Sequence, residues 1–120
     1  MNFEVTESWK RASRLCVEIY KAFDKQKDYG FKDQITRSAL SIPSNIAEGL
    51  ERYSDKETIQ FLNYARGSCA ELRTQIYIGI EIGYIKKQTG LVWTQESKEL
   101  SKMIMSLIKY LKSSRKTKEQ

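Results

Sequence analysis

The sequence predicts an all-α protein, an antiparallel up-and-down four-helix bundle. Apolar residues recur at spacings of three and four along four successive stretches, the period that gathers them on one face of a helix. One proline and six glycines in 120 residues leave few points at which the chain can turn, which disfavours a many-stranded fold. Connections of roughly 5 to 11 residues between the stretches set neighbouring helices antiparallel.

In the first stretch, Val5, Trp9, Ala12, Cys16, Ile19 and Phe23 mark the buried face of a helix from about residue 5 to 26, with Thr6 or a neighbour as its cap. On the side away from that face, Lys10, Arg14, Lys21 and Lys25 fall within an arc of about 60°, diluted by Glu7 and Glu18.

After a polar connection, Lys27-Asp28-Tyr29-Gly30, the period restarts at Phe31, Ile35, Ala39, Ile42 and Ile46, giving a second helix over about 31–48. Beside its apolar seam runs a polar one, made of Gln34, Ser38, Ser41, Asn45, Glu48 and Arg52. Two adjacent seams imply packing partners on both sides. Pro43 removes a backbone donor and crowds the preceding turn, so it is expected to bend the helix. Asn45 and Glu48 are expected to tie it to the third helix, and Gly49 to turn the chain. Glu48 and Arg52 are spaced for an ion pair, and Arg37 is available for another.

Ser54-Asp55-Lys56-Glu57 has the spacing of a capping box and opens the third helix. Phe61, Leu62, Ala65, Cys69, Leu72, Ile76 and Ile80 carry it to Gly83. Gly67 and Gly79 inside it each cost about 1 kcal/mol relative to alanine, a cost that close helix packing would offset. Glu71, Arg66 and Gln75 are its polar members expected to meet the seam of the second helix.

Tyr84 to Trp93 reads as a turn plugged by Ile85, Leu91 and Trp93, with Thr94 capping a fourth helix. Leu100, Ile104, Leu107, Ile108 and Leu111 form its buried arc, opposite Lys98, Lys102, Lys109 and Lys112. The bundle thus occupies residues 1–112. Residues 113–120, which include Arg115 and Lys116, contain no apolar anchor and are expected to form a basic, disordered tail.

The balance of 21 basic and 15 acidic residues gives a formal charge of +6. Such a surface permits binding to polyanions without specifying it. No histidine is present, which removes the commonest general base and the commonest transition-metal ligand. No apolar run approaches the roughly 20 residues of a membrane span. The first residues lack the basic segment and apolar core of a secretory signal, so a cytoplasmic location is expected. Cys16 and Cys69 lie far apart, each in an apolar stripe, and read as buried free thiols.

The run from Gln34 to Gly49, QITRSALSIPSNIAEG, is followed by Arg52, Phe61-Leu62, Ala65-Arg66-Gly67-Ser68, Glu71-Leu72 and Gly83-Tyr84. Together with Trp9-Lys10 and Ile19-Tyr20, these residues closely resemble the 23S rRNA intervening-sequence proteins. The resemblance marks Arg37, Pro43, Asn45, Glu48, Gly49, Arg52 and Glu71 as the structural motif. It implies a small bacterial four-helix bundle similar to the accessory variability proteins of diversity-generating retroelements. Those relatives are homopentamers that bind RNA or DNA without marked sequence preference and partner a reverse transcriptase.

Two readings of function follow. In the first, Lys10, Arg14, Lys21 and Lys25, or Lys109, Lys112, Arg115 and Lys116, hold nucleic acid through its phosphates. In the second, the polar seam and exposed tyrosines dock a protein, and the chain is an adaptor or assembly module. Catalysis is not supported. Glu48, Glu57 and Glu71 lack the histidines of a carboxylate-bridged metal site, no serine or cysteine has a histidine to activate it, and no catalytic residue, metal ligand or cofactor is assigned.

Overall fold

The computed structural model describes the backbone of residues 3–119 and the side chains of residues 5–114. Its four helices are α1 (Phe3–Ala22), α2 (Tyr29–Leu50), α3 (Asp55–Glu81) and α4 (Lys87–Glu119). Each packs on its sequence neighbour, and α1 closes the ring against α4, while the diagonal pairs stay apart. The result is an elongated up-and-down bundle of 54 × 22 × 20 Å. The predicted fold class is the one observed. Its tightest seam joins α2 to α3 and its loosest joins α1 to α4.

The core runs the length of the bundle. Ile19, Phe23, Ile35, Ile42, Ile46, Leu62, Leu72, Ile76, Leu100, Ile104 and Ile108 are almost wholly removed from solvent. Trp9, expected among them, is 41% exposed, and Leu15 is buried instead. Trp9 lies about 60° round the helix from Ala12, at the edge of the apolar arc, and a side chain that large overhangs the bundle rather than entering it.

Helix boundaries shift where capping overrides periodicity. α1 ends at Ala22 because the next backbone donors tighten into three-residue bonds, Asp24 to Lys21 and Gln26 to Phe23. Thr6 lies inside α1 and does not cap it. α2 begins two residues earlier than expected because the Asp28 carboxylate accepts the Phe31 backbone N–H at 3.2 Å. α2 then runs unbroken through the buried Pro43 to Leu50. Gly49 is helical and not part of a turn: a Cβ there would touch Phe61 and Thr58 of α3 at 3.4 Å. Ser54 does cap α3, accepting from the Glu57 backbone N–H at 3.2 Å.

The largest correction concerns the fourth helix. It starts at Lys87, seven residues before Thr94, so Leu91, Trp93 and Thr94 are helical. The turn is compressed into residues 82–86. Gly83 adopts φ +85°, the left-handed conformation that glycine tolerates, and the backbone N–H groups of Tyr84 and Ile85 both return to the Gly79 carbonyl. Gly90 reads locally as a breaker, yet it is the residue that lets α4 lie against α3. A Cβ on Gly90 would stand 2.7 Å from Ile80 Cγ1. Of the predicted plugs, Ile85 and Trp93 are buried and Leu91 is exposed. At the other end, the α4 backbone continues past Lys112 to Glu119, through the segment read as a tail.

Candidate nucleic-acid interface

The polar seam between α2 and α3 uses part of the expected set, Ser38, Ser41 and Glu71, together with Ser68 and Thr58, which were not expected. The Ser38 hydroxyl donates to Glu71 Oε1 at 2.5 Å, the Ser41 hydroxyl to Ser68 Oγ at 2.5 Å, and Thr58 Oγ1 to the Gly49 carbonyl at 3.0 Å. These short residues suit a close helix pair. Asn45 and Glu48 do not provide the tie: Asn45 Nδ2 donates to the Ser41 carbonyl of its own helix at 2.8 Å, and Glu48 pairs with Arg52 at 3.3 Å. The Arg52 guanidinium also lies 5.1 Å from the Phe61 ring centre. Arg37 is exposed, and among the described residues it makes no ion pair. The motif is thus mainly a packing device, with Glu71 hydrogen-bonded to Ser38 across the seam and Arg52 set over the Phe61 ring of α3.

Two basic surfaces remain. On α1, Lys10, Arg14 and Lys21 are exposed, as is Lys25, which lies in the turn after α1 and not on the expected helix. Acids interleave with them: Arg14 pairs with Glu7 at 3.7 Å, and Glu18 shares one groove with Arg14 and another with Lys21. On α4, Lys98, Lys102, Lys109 and Lys112 are exposed. Glu99, 3.7 Å from Lys102, is the acid within ion-pair distance of that set among the described residues. The side chains of Arg115 and Lys116 lie outside the described residues.

Arg66 and Arg73 of α3 were missed as part of the basic surface. Arg66, expected to face α2, instead faces α4, where its Nη1 donates to Met105 Sδ at 3.7 Å. It lines a groove of about 520 Å³ with Ser101, Lys102, Met105, Ser106 and Lys109. Two turns along α3, Arg73 Nη1 donates to the hydroxyls of Ser97 and Ser101, both at 3.0 Å. The available signal was their seven-residue spacing, which repeats one helix face. The third expected member, Gln75, has no hydrogen-bond partner for its buried Oε1 among the described residues.

Cys16 and Cys69 are buried free thiols. Burial pushes both up from the usual thiol range, with the Ser101 hydrogen bond and the Arg73 charge partly offsetting it at Cys69. Neither is poised as a nucleophile. Among the described residues, no three His, Cys, Asp or Glu side chains gather to hold a metal ion, and no helix is long and apolar enough to cross a membrane. What the surface can do chemically is present positive charge and hydroxyl donors to an anion.

Comparison with known proteins agrees with this architecture. A crystal structure of a protein of unknown function from the S23 ribosomal protein family of Bacteroides thetaiotaomicron is similar, with TM-score 0.82 and 25% sequence identity. The similarity covers 89% of this chain and 99% of that one. No curated relative matches the chain. Residues 4–106, spanning the motif, both sides of the polar seam and most of α4, match the family described as 23S rRNA-intervening sequence protein. The chain therefore belongs to the 23S rRNA-intervening sequence protein family.

Proposed function

We propose that this protein is a non-enzymatic, homo-oligomeric bundle of the cytoplasm that binds RNA or DNA through its phosphates with little sequence preference. The observation that carries this reading is the outward row Lys98, Lys102, Lys109 and Lys112, joined by Arg66 from the neighbouring helix and met, among the described residues, by one carboxylate within ion-pair distance, Glu99. Cations in such a row displace counterions from a nucleic-acid backbone, a sequence-independent and salt-sensitive source of affinity. The family resemblance supports a pentamer and a role beside a reverse transcriptase or within rRNA intervening sequences.

Self-association has its own support. Trp9, Val17 and Tyr20 of α1 and Leu40 and Leu50 of α2 are 37–51% exposed. Helical geometry sets each group on the flank of its helix that borders the other. Apolar surface of this kind marks an interaction face, and several copies on one particle would multiply a weak electrostatic contact. The same face favours the adaptor as a second reading.

Fluorescence anisotropy with a labelled oligonucleotide, titrated at low and moderate salt, tests the binding. Affinity should fall steeply as salt rises, and absence of binding at low salt refutes it. Light scattering should give a particle several times the 14.0 kDa chain mass; Val17→Glu with Leu40→Glu should reduce it to the monomer. A protein partner retained after nuclease and high-salt washing would instead favour the adaptor.

A further inference from the structure

We propose that the groove between α3 and α4, rather than the lysine row as a whole, is a phosphodiester-binding site for single-stranded nucleic acid, with Arg66 as its central contact. This rests on the nucleic-acid reading above and assigns it a place and a ligand form.

The lining is donor-rich. Arg66, Lys102 and Lys109 supply cationic N–H groups, and Ser101 and Ser106 supply hydroxyls. Of these hydroxyls, that of Ser101 is turned inward, accepting from Arg73 and hydrogen-bonded to the Cys69 thiol, and that of Ser106 is the one exposed to a ligand. Arg66 donates to the Met105 sulfur and, among the described residues, has no carboxylate within ion-pair distance. A guanidinium held by a thioether, a weak acceptor, retains nearly all its capacity for a fork of hydrogen bonds to phosphate oxygens.

Shape selects the strand. Arg66 and Met105 are half-buried, whereas Lys102, Ser106 and Lys109 are exposed, so the arginine sits low in the groove and the lysines form its rim. A duplex laid across two helices meets the rim and not the floor. A single strand enters. Lys102 and Lys109 are two helical turns apart, about 10.5 Å, far enough to meet different phosphates of one strand. Farther along α3, Tyr77 is 57% exposed and lies within about 20° of the Arg66 face, a position from which a base could stack.

Methionine-methyl NMR on the full-length protein, combined with anisotropy, provides the test. With a ten-nucleotide oligouridylate at low salt, the Met105 methyl signal should shift, while Met103, which contacts Arg11 on the α1 side, should stay. Arg66→Gln should weaken binding about tenfold, and Lys86→Gln, exposed in the turn between α3 and α4 and outside the groove, by less than about twofold. The double variant Lys102→Gln/Lys109→Gln, altered only at exposed positions, should lower the magnitude of the salt slope by about 1.4, at about 0.7 per lost phosphate contact. Retained far-ultraviolet dichroism of each variant makes a loss attributable to the groove. Binding that leaves Met105 unmoved, or a duplex bound as tightly as the single strand, overturns the groove and leaves the broader reading standing. No binding of either form by the unaltered protein overturns both.

Discussion

Replacing Gly67 and Gly79 of α3 by alanine, one at a time, makes the same chemical change twice in one helix with opposite expected signs. Alanine in place of glycine in a helix interior gains about 1 kcal/mol from reduced unfolded-state freedom. At Gly67 a new Cβ meets nothing within 4 Å, so the full gain should appear as a rise in Tm of about 4 °C. At Gly79 the Cβ would lie 2.5 Å from Ile85 Cδ1, 2.9 Å from Ile85 Cγ1 and 3.3 Å from Phe31 Cζ. Ile85 is 5% exposed and is clamped by the turn that Gly83 makes. Forcing it aside is overpacking, which costs about 1–3 kcal/mol, so the net effect should be a loss of up to about 2 kcal/mol. Urea denaturation of both variants measures this directly, and adding Ile85→Val to Gly79→Ala should recover part of the loss non-additively. If the two single variants shift stability by the same sign and amount, the contact between Gly79 and the turn does not exist as described.

Two further outcomes follow from the structure. The Arg11 guanidinium, with Nε 3.0 Å from Glu96 Oε2 and Nη2 on Oε1, links the loosely joined α1 and α4; both side chains are 29% exposed, so Glu96→Gln should cost about 1 kcal/mol, with the difference shrinking as salt is added in urea titrations. Stability should also hold near neutral pH and decline above about pH 9, because the folded state keeps protons on Cys16, Cys69 and Tyr84 that the unfolded chain releases at the ordinary values of 9.0 and 10.0. Tyr84 joins the set because its hydroxyl donates to Asp28 Oδ2 at 2.8 Å. Cys69→Ala should flatten the alkaline limb in denaturant midpoints measured between about pH 7 and pH 10.5.

The identity of the four helices and of their inward faces was legible in the linear order of residues, because burial on a helix repeats every three or four positions and each such repeat is local. Ser54, whose capping partner lies three residues away, was legible for the same reason. Glu71 meets the α2 seam at Ser38 as expected, but most of what depended on a partner far along the chain failed. Arg66 turns to Met105 and not to α2, and Ser41 finds Ser68 where Asn45 was expected to reach across. Gly90 lies inside a helix because Ile80, ten residues earlier, needs the space. A helical period states which face is inward; it carries no information on the rotation and axial register that two packed helices adopt, and those decide which polar groups meet. Composition and periodicity thus established a basic four-helix bundle, whereas the tertiary structure alone joined Arg66 of α3 to Lys102 and Lys109 of α4 along one groove.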